Sequence, residues 1–380
     1  MSTAFLHLIL MRMGNKSTRV APYANIFTQV RRLAEASEAP IPIPPERLGR
    51  YDLVFKLASG GMADVYLARD DSAPSASQVV ALKRVHRHLV GRPGYREMFL
   101  DEARIAFQIA HPNAFPVLDF GESQGEYYLT MEYLVGESLA RLMNRAARRP
   151  EPPRTAPAAG RLARTIADVC RGLHAAHNVK SSSGSLLELV HCDVTPRNLF
   201  LKYDGTAQIL DFGIATARME LHSKQSSELR GNLAYMAPEQ LVGGRIDRRV
   251  DIWSLGVTFW EMLTMRRLFR RDTPAATAQS VVYDEILPPS QLRPQLPDGL
   301  DEIVLKALQR DPAHRWQTAD EMELAIRRVL DAQPVVVGPA DLAEWMASVF
   351  PFEEARKRQL IKIARGSRDR ERSARTRRGE

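Results

Sequence analysis

Cysteine is nearly absent: Cys170 and Cys192 are the only two in 380 residues. That excludes a disulfide-stapled scaffold and points to a reducing compartment, so a cytoplasmic location is expected. Long apolar runs are missing as well. Nowhere do about 18 consecutive apolar residues occur, which excludes a helix able to cross a bilayer. The short apolar stretch Phe5-Leu6-His7-Leu8-Ile9-Leu10-Met11 has its positive charge after it rather than before it, and no small-residue cleavage site follows, so it reads as a tail. No internal repeat occurs at solenoid periods. With 44% hydrophobic and 26% charged residues, the composition is neither disordered nor collagen-like.

What the chain has in excess is positive charge, a net +8. Residues 1–50 carry +4 and residues 362–380 carry +5, which leaves 51–361 at −1. The basicity therefore belongs to two tails suited to docking acidic partners. It argues against a nucleic-acid partner, because no aromatic-interleaved basic surface accompanies it.

Pro40-Ile41-Pro42-Ile43-Pro44-Pro45 is stiff and poor in backbone donors, so residues 1–50 read as a tail and Pro-rich linker, with folded sequence from Tyr51. Residues 52–57, 64–68 and 78–85 read as strands between Gly- or Ser/Pro-rich turns. Residues 99–110 put apolar side chains on one helical stripe, and two further strands follow at 115–120 and 127–132. Beyond Gly136 the texture is helical, over 138–148, 160–177, 251–264, 300–309 and 318–330, broken by a strand-turn-strand region at 189–191 and 198–210. The expected class is α+β, a small β-rich unit with one main helix and a large, mainly α-helical unit. Residues 341–365 are amphipathic, with Leu342, Trp345, Met346, Val349 and Phe350 apolar, and suit either packing on the large unit or a partner. Residues 366–380 read as disordered.

Several residues can carry chemistry. Gly60-Gly61 lies between two strand-like segments, where glycine lets backbone N–H groups approach a phosphate chain, although a plain hairpin turn has the same look. Lys83 ends the apolar run Val79-Val80-Ala81-Leu82, where an ammonium needs an anion, and Glu102 on the next helix can supply one, as in any structural ion pair. Asp193 can accept a proton from a hydroxyl nucleophile. Asn198 and Asp211 are hard oxygen ligands of the kind Mg²⁺ prefers, though Asx turns also explain Asp193 and Asn198.

Taken in order, Gly60-Gly61…Val65, Ala81-Leu82-Lys83, Glu102, His191-x-Asp193-x-x-x-x-Asn198, Asp211-Phe212-Gly213, Ala237-Pro238-Glu239 and Asp251-Ile252-Trp253-Ser254-Leu255-Gly256 resemble the eukaryotic-type protein kinases. The resemblance covers residues 51 to about 332. Gly60-Gly61-Met62-Ala63-Asp64-Val65-Tyr66 and Tyr235-Met236-Ala237-Pro238-Glu239-Gln240 are similar to the bacterial Ser/Thr branch.

The resemblance implies a two-lobed fold, with a small lobe over 51–135, a large lobe over 136–332, and a C-terminal helix and basic tail over 333–380. It implies transfer of the γ-phosphate of ATP to Ser or Thr hydroxyls of protein substrates, with Mg²⁺ or, in its place, Mn²⁺. Leu57, Ala58, Ser59, Gly60, Gly61, Met62, Ala63, Asp64 and Val65 would cover the phosphates. Lys83 would hold them and Glu102 would hold Lys83. Met131 matches the gatekeeper, Glu132, Tyr133 and Leu134 the adenine-binding hinge, and Ala81, Val65 and Phe200 the walls around the purine. Glu137 is placed for the ribose, Asp193 for the substrate hydroxyl, and Asn198 with Asp211 for the metal ions. Glu239 with Arg315, and Asp251 behind the catalytic loop, match structural positions.

The pattern is also broken in places. Ala58 and Ala63 replace two glycines of the phosphate loop. Cys192 stands where many members carry an arginine that grips a phosphorylated activation loop, so activity is expected not to need phosphorylation at Thr216, Ser223, Ser226 or Ser227. Thr195 replaces a lysine that contacts the transferring phosphate, and Asn232 replaces a threonine facing it. Arg197 or Arg230 could take over that contact. The other reading is a pseudokinase scaffold with weak or no transfer activity.

Overall fold

The computed structural model describes residues 40–60, 63–70, 72–73, 78–91, 95–148, 156–181, 183–210 and 233–376. The chain divides into two compact units. One gathers the residues up to His86, Glu122–Tyr128 and the chain from Ala355 onward, and the other holds Arg87–Gly121 and Leu129–Glu354.

The first unit is built on β1 (Ile41–Leu48), β2 (Tyr51–Ser59), β3 (Ala63–Asp70) and β4 (Val79–Val85), joined by the tip of the hairpin β5 (Val117–Ser123) and β6 (Glu126–Glu132). Strand order is β1-β2-β3-β4-β6-β5. In β2 the alternation is regular: Tyr51, Leu53 and Phe55 are buried while Asp52, Val54 and Lys56 are half-exposed. In β4, Val79 to Leu82 are buried without a break. Arg84 donates to Glu46 at 2.6 Å and to Glu126 at 2.7 Å, joining β1, β4 and β6.

Strand β1 corrects the reading of residues 1–50 as tail and linker. Its prolines sit on the outermost strand, where a missing N–H costs no ladder bond, and the pairing with β2 shifts register between Pro42 and Glu46, across Pro44 and Pro45. Gly49 turns the chain between β1 and β2 at φ 60°, and a Cβ there would meet the Tyr128 hydroxyl at 2.9 Å. Tyr128 packs edge-on against Tyr51, with centroids 5.6 Å apart.

The second unit opens with α1 (Arg87–Val90) and α2 (Tyr95–Ala106) and continues with β7 (Gly136–Ser138), α3 (Leu139–Ala147) and α4 (Ala156–His177). The strands β8 (Leu199–Lys202) and β9 (Ala207–Ile209) complete a three-stranded antiparallel sheet with β7. Then come α5 (Pro238–Val242), α6 (Arg249–Thr264), α7 (Pro274–Tyr283), α8 (Pro289–Leu292), α9 (Leu300–Ala307), α10 (Ala319–Asp331) and α11 (Pro339–Val349). Helix α6 is buried from Val250 to Thr264 and forms the centre of this core. At Gly256 it meets α9 closely: a Cβ would lie 2.8 Å from that of Ala307.

The amphipathic 341–365 segment packs rather than stands free. Leu342, Trp345, Met346, Val349 and Phe350 are buried in the core of the second unit. Phe350 meets Tyr203 edge-on, with Arg141 and Arg145 over its ring. The last helix, α12 (Glu353–Thr376), runs into the segment read as disordered, and its abundance of Arg and Glu suits a helix. In the first unit Leu360, Ile363 and Ala364 of α12 are buried, and Arg69 donates to the Ala364 carbonyl at 3.3 Å.

Candidate active site

In the first unit, β2 and β3 carry the expected phosphate-covering hairpin. Its turn closes with the Gly60 N–H donating to the Ala63 carbonyl at 2.9 Å. Leu57 is half-buried, and Ala58, Ser59 and Gly60 are exposed at the tip. Ala58 pairs with Val65 and Ser59 with Asp64, just past a register shift between Lys56 and Ala58. Among the described residues, positive φ outside glycine occurs at Gln124, Glu188, Cys192 and Met265, so Ala58 and Ala63 sit where alanine is at ease. A Cβ on Gly60 would find its nearest neighbour, the Ala63 carbonyl, at 3.6 Å. The hairpin therefore does not itself demand glycine there.

Asp64 gives the hairpin its internal bracing. It accepts from Ser59 Oγ at 2.5 Å and pairs with Lys56 Nζ at 2.8 Å and His86 Nε2 at 3.4 Å. Burial works against its charge, but the bonds from Lys56, Ser59 and His86 outweigh it and hold the carboxyl down at about 2. Val65 lies opposite Lys83 in the β3–β4 ladder, and Ala81 is buried two residues before Lys83.

In the second unit, residues 191–198 form the loop that carries Asp193. Asn198 donates through Nδ2 to Asp193 Oδ2 at 2.7 Å and to the Asp193 carbonyl at 2.9 Å. That commits the amide nitrogen and turns the Asn198 Oδ1 into the group left for a hard cation. The Asn198 N–H donates to the Thr195 carbonyl at 2.9 Å, so the chain turns sharply between Asp193 and Asn198.

Two buried groups hold this loop from behind. Asp251, fully buried on α6, accepts the N–H of His191 through Oδ2 and the N–H of Cys192 through Oδ1, each at 2.8 Å. His177, at the end of α4, donates from Nε2 to the same Oδ2 at 2.8 Å. The His191 ring completes the arrangement: Nδ1 accepts the Asp193 N–H at 3.2 Å, so Nε2 carries the proton and donates to the Leu210 carbonyl at 2.8 Å. His191 thus ties Asp193 to the residue before Asp211. His191 was part of the motif read from the sequence, but His177 was not singled out, since no local pattern marks its contact with Asp251.

Met131 and Leu134 are buried, Glu132 is exposed, and Phe200 is half-buried on β8. Glu137 departs from expectation. It is buried, with Oε1 accepting from the Tyr203 hydroxyl at 3.0 Å and Oε2 from Arg141 at 2.9 Å. Both oxygens are occupied in joining β7, α3 and the turn after β8, so the ribose role is withdrawn. Gly61, Met62, Asp211 and residues 212–232, with Thr216, Ser223, Ser226, Ser227, Arg230 and Asn232, lie outside the described residues, as does the side chain of Glu102.

Arg315 and Glu239 meet as expected, in a bidentate pair at 2.6 and 2.7 Å. Next to the Asp193 loop, Glu261 accepts from the Tyr235 hydroxyl at 2.8 Å and from Arg267 at 2.7 Å. That triad also went unseen in the sequence.

A model of the protein kinase domain matches residues 51–325. The tyrosine-protein kinase MasK of Myxococcus xanthus is 38% identical over 317 residues, covering 82% of this chain and 48% of MasK. A probable serine/threonine-protein kinase of Streptomyces coelicolor, SCO3848, is 36% identical over 298 residues, covering 77% of this chain and 42% of its own. The crystal structure of the Mycobacterium tuberculosis PknI kinase domain superposes with a TM-score of 0.56 at 25% identity, covering 76% of this chain and 98% of that domain. The chain spans about half the length of the curated relatives it matches.

Proposed function

The chain belongs to the protein kinase family, and from that membership we propose that it transfers the γ-phosphate of ATP to Ser or Thr hydroxyls of other proteins. The observation that carries the reading is the Asp193–Asn198 pair, held at 2.7 Å on a loop braced by Asp251 and His191. A carboxylate fixed in this way can orient an incoming hydroxyl and accept its proton as the oxygen attacks phosphorus.

Lys83 would neutralise the α- and β-phosphates, and the tip of the β2–β3 hairpin would lie along the phosphate chain. Without a side chain, Gly60 leaves that approach open. Met131, Glu132, Leu134, Ala81, Val65 and Phe200 would enclose the adenine. Asn198 Oδ1 and Asp211 fit Mg²⁺, or Mn²⁺ in its place, by the hardness of their oxygens; a bound dication would neutralise charge that builds on the phosphates during transfer. Positioning and charge neutralisation supply most of the acceleration in such a reaction, so few side chains suffice. The location proposed is the cytoplasm, supported by two free cysteines. Among the described residues no helix is long and apolar enough to cross a membrane. The basic ends would draw in acidic partners.

The experiment is transfer from γ-labelled ATP by the purified protein, beside Lys83→Met and Asp193→Ala. Signal in the wild type that disappears in both variants supports the reading. Equal signal in all three means a contaminating kinase, and none in the wild type leaves a nucleotide-binding scaffold. Phosphoamino-acid analysis tests the Ser/Thr assignment, which is needed because MasK is named a tyrosine kinase and Thr195 replaces the lysine typical of the Ser/Thr branch.

A further inference from the structure

Immediately beside the Asp193 loop is a cavity of about 50 Å³ whose polar lining is Thr195, Arg197, Tyr235, Glu261, Arg267 and Arg270. Three of those six are arginines and one is an acid, so the first question is how far the acid cancels them. Glu261 is fully buried. Its Oε2 accepts from the Tyr235 hydroxyl and from Arg267, and its Oε1 accepts the Leu268 N–H at 3.1 Å. Arg267 also donates to the Tyr235 oxygen at 2.6 Å. Glu261 and Arg267 therefore neutralise each other within a closed hydrogen-bonded set.

Burial and the Glu261 charge push the Tyr235 hydroxyl well above its ordinary range, so it stays a neutral donor. For Arg267, burial opposes the charge but Glu261 and Tyr235 more than restore it. What remains uncancelled is the pair Arg197 and Arg270. Both are exposed, and among the described residues neither side chain forms an ion pair. Arg197 lies four residues after Asp193 and one before Asn198, on the loop that would receive the acceptor hydroxyl.

We propose that this cavity is a subsite for an acidic side chain of the protein substrate, so that the enzyme selects hydroxyls flanked by aspartate or glutamate. A carboxylate can take charge-assisted hydrogen bonds from Arg197 and Arg270. A volume of this size, about that of one or two water molecules, admits the head of one such group. A lysine or arginine at the same place would meet two guanidinium groups and, among the described residues that line the cavity, no available acid. The inference rests on the reading of the Asp193 loop as the site of phosphoryl transfer, and it adds the class of substrate.

The test uses the full chain and short peptides with one Ser, Thr or Tyr flanked by Glu, by Ala or by Arg. Transfer and peptide binding are measured separately, the latter by fluorescence anisotropy at low and high salt. The expected kcat/KM ranks Glu above Ala above Arg, with about fivefold per step. Arg270→Glu should erase or invert the ranking and Arg270→Lys should keep it, with thermal melts confirming that both are folded. Transfer without a preference for acidic flanks overturns the subsite and leaves the kinase reading intact. No transfer, but salt-sensitive binding of the Glu peptide that Arg270→Glu abolishes, supports the subsite and overturns the transfer reading. Equal binding of all three peptides overturns the subsite, whatever the transfer assay gives.

Discussion

Asp251 holds Cys192 in a left-handed backbone conformation: its Oδ1 accepts the Cys192 N–H at 2.8 Å, and Cys192 has φ 61°. A non-glycine residue adopts that conformation only when its surroundings over-determine it. Here they do, because Asp251 also accepts from His191 and His177. Asp251→Asn keeps the shape but offers one acceptor oxygen to three donors and turns an NH₂ toward one of them. The expected cost is about 2–4 kcal/mol in urea unfolding, with turnover down about tenfold or more as Asp193 loses its placement. Unchanged stability and turnover would show that the brace is dispensable.

Cys192 also bears on chemistry at the site. Burial, with Asp251 and Asp193 nearby, pushes its thiol well above the ordinary range, and burial does the same to Cys170. Both thiols should stay protonated and unreactive at pH 8. Iodoacetamide followed by intact mass should label neither in the folded protein and both in urea. Rapid labelling of native Cys192 would show instead that its thiol is accessible and ionised.

The legible parts of this molecule were those whose meaning is local. Asp193 and Asn198 lie five residues apart on one loop, and their bond follows from that spacing. Glu239 and Arg315 are 76 residues apart, and only the family pattern connected them. His177 and Asp251, 74 residues apart, have no pattern to connect them and stayed hidden. Strand β1 was misread because proline argues against a strand except at an edge, and edges are a property of the assembled sheet. Glu137 was misplaced for a similar reason: Tyr203 and Arg141 claim its oxygens, and only the fold brings Tyr203 there.

Phe350 lies beyond the matched family region yet inside the core. It is 1% exposed, edge-on to Tyr203 and beneath Arg141 and Arg145. Phe350→Ala should cost about 3–5 kcal/mol through lost burial and a cavity. A chain ending at residue 332, the expected boundary, should expose Tyr203 and be recovered largely insoluble. Full solubility and an unchanged melting temperature would show that α11 rests on the surface only.

His111 gives the second unit an acid-sensitive point. Its Nδ1 accepts the Asn113 N–H at 3.1 Å, and burial together with Arg171 pulls its pKa below the ordinary value, with Asp168 opposing. A depressed pKa means that the folded state favours the neutral ring. The resulting stability is present above pH 6.5 and is lost as the pH falls below it. The melting temperature should therefore drop between pH 7.5 and 5. His111→Asn, which can accept the same N–H through its side-chain oxygen, should show a shallower drop. Equal slopes would assign the acid sensitivity elsewhere.

Arg315 has a partner for each of its five N–H groups. Nη1 and Nη2 bind Glu239 at 2.6 and 2.7 Å, and the remaining donors reach the carbonyls of Gln309 at 2.6 Å, Arg249 at 3.1 Å and Arg310 at 3.0 Å. The guanidinium also lies over the Trp253 ring, 5.0 Å from its centroid. Lysine has three donors and no planar fork, so Arg315→Lys leaves at least two carbonyls unbonded in a dry site. The expected loss is about 3–5 kcal/mol in urea unfolding. Glu239→Gln should cost a similar amount, because it leaves the buried guanidinium without its counter-charge. Replacing both, Arg315→Met with Glu239→Leu, removes the charges together and should recover part of the loss, since an apolar pair does not need the desolvated ions. A double variant no more stable than Arg315→Lys or Glu239→Gln alone would show that loss of the counter-charge is not what the single changes cost.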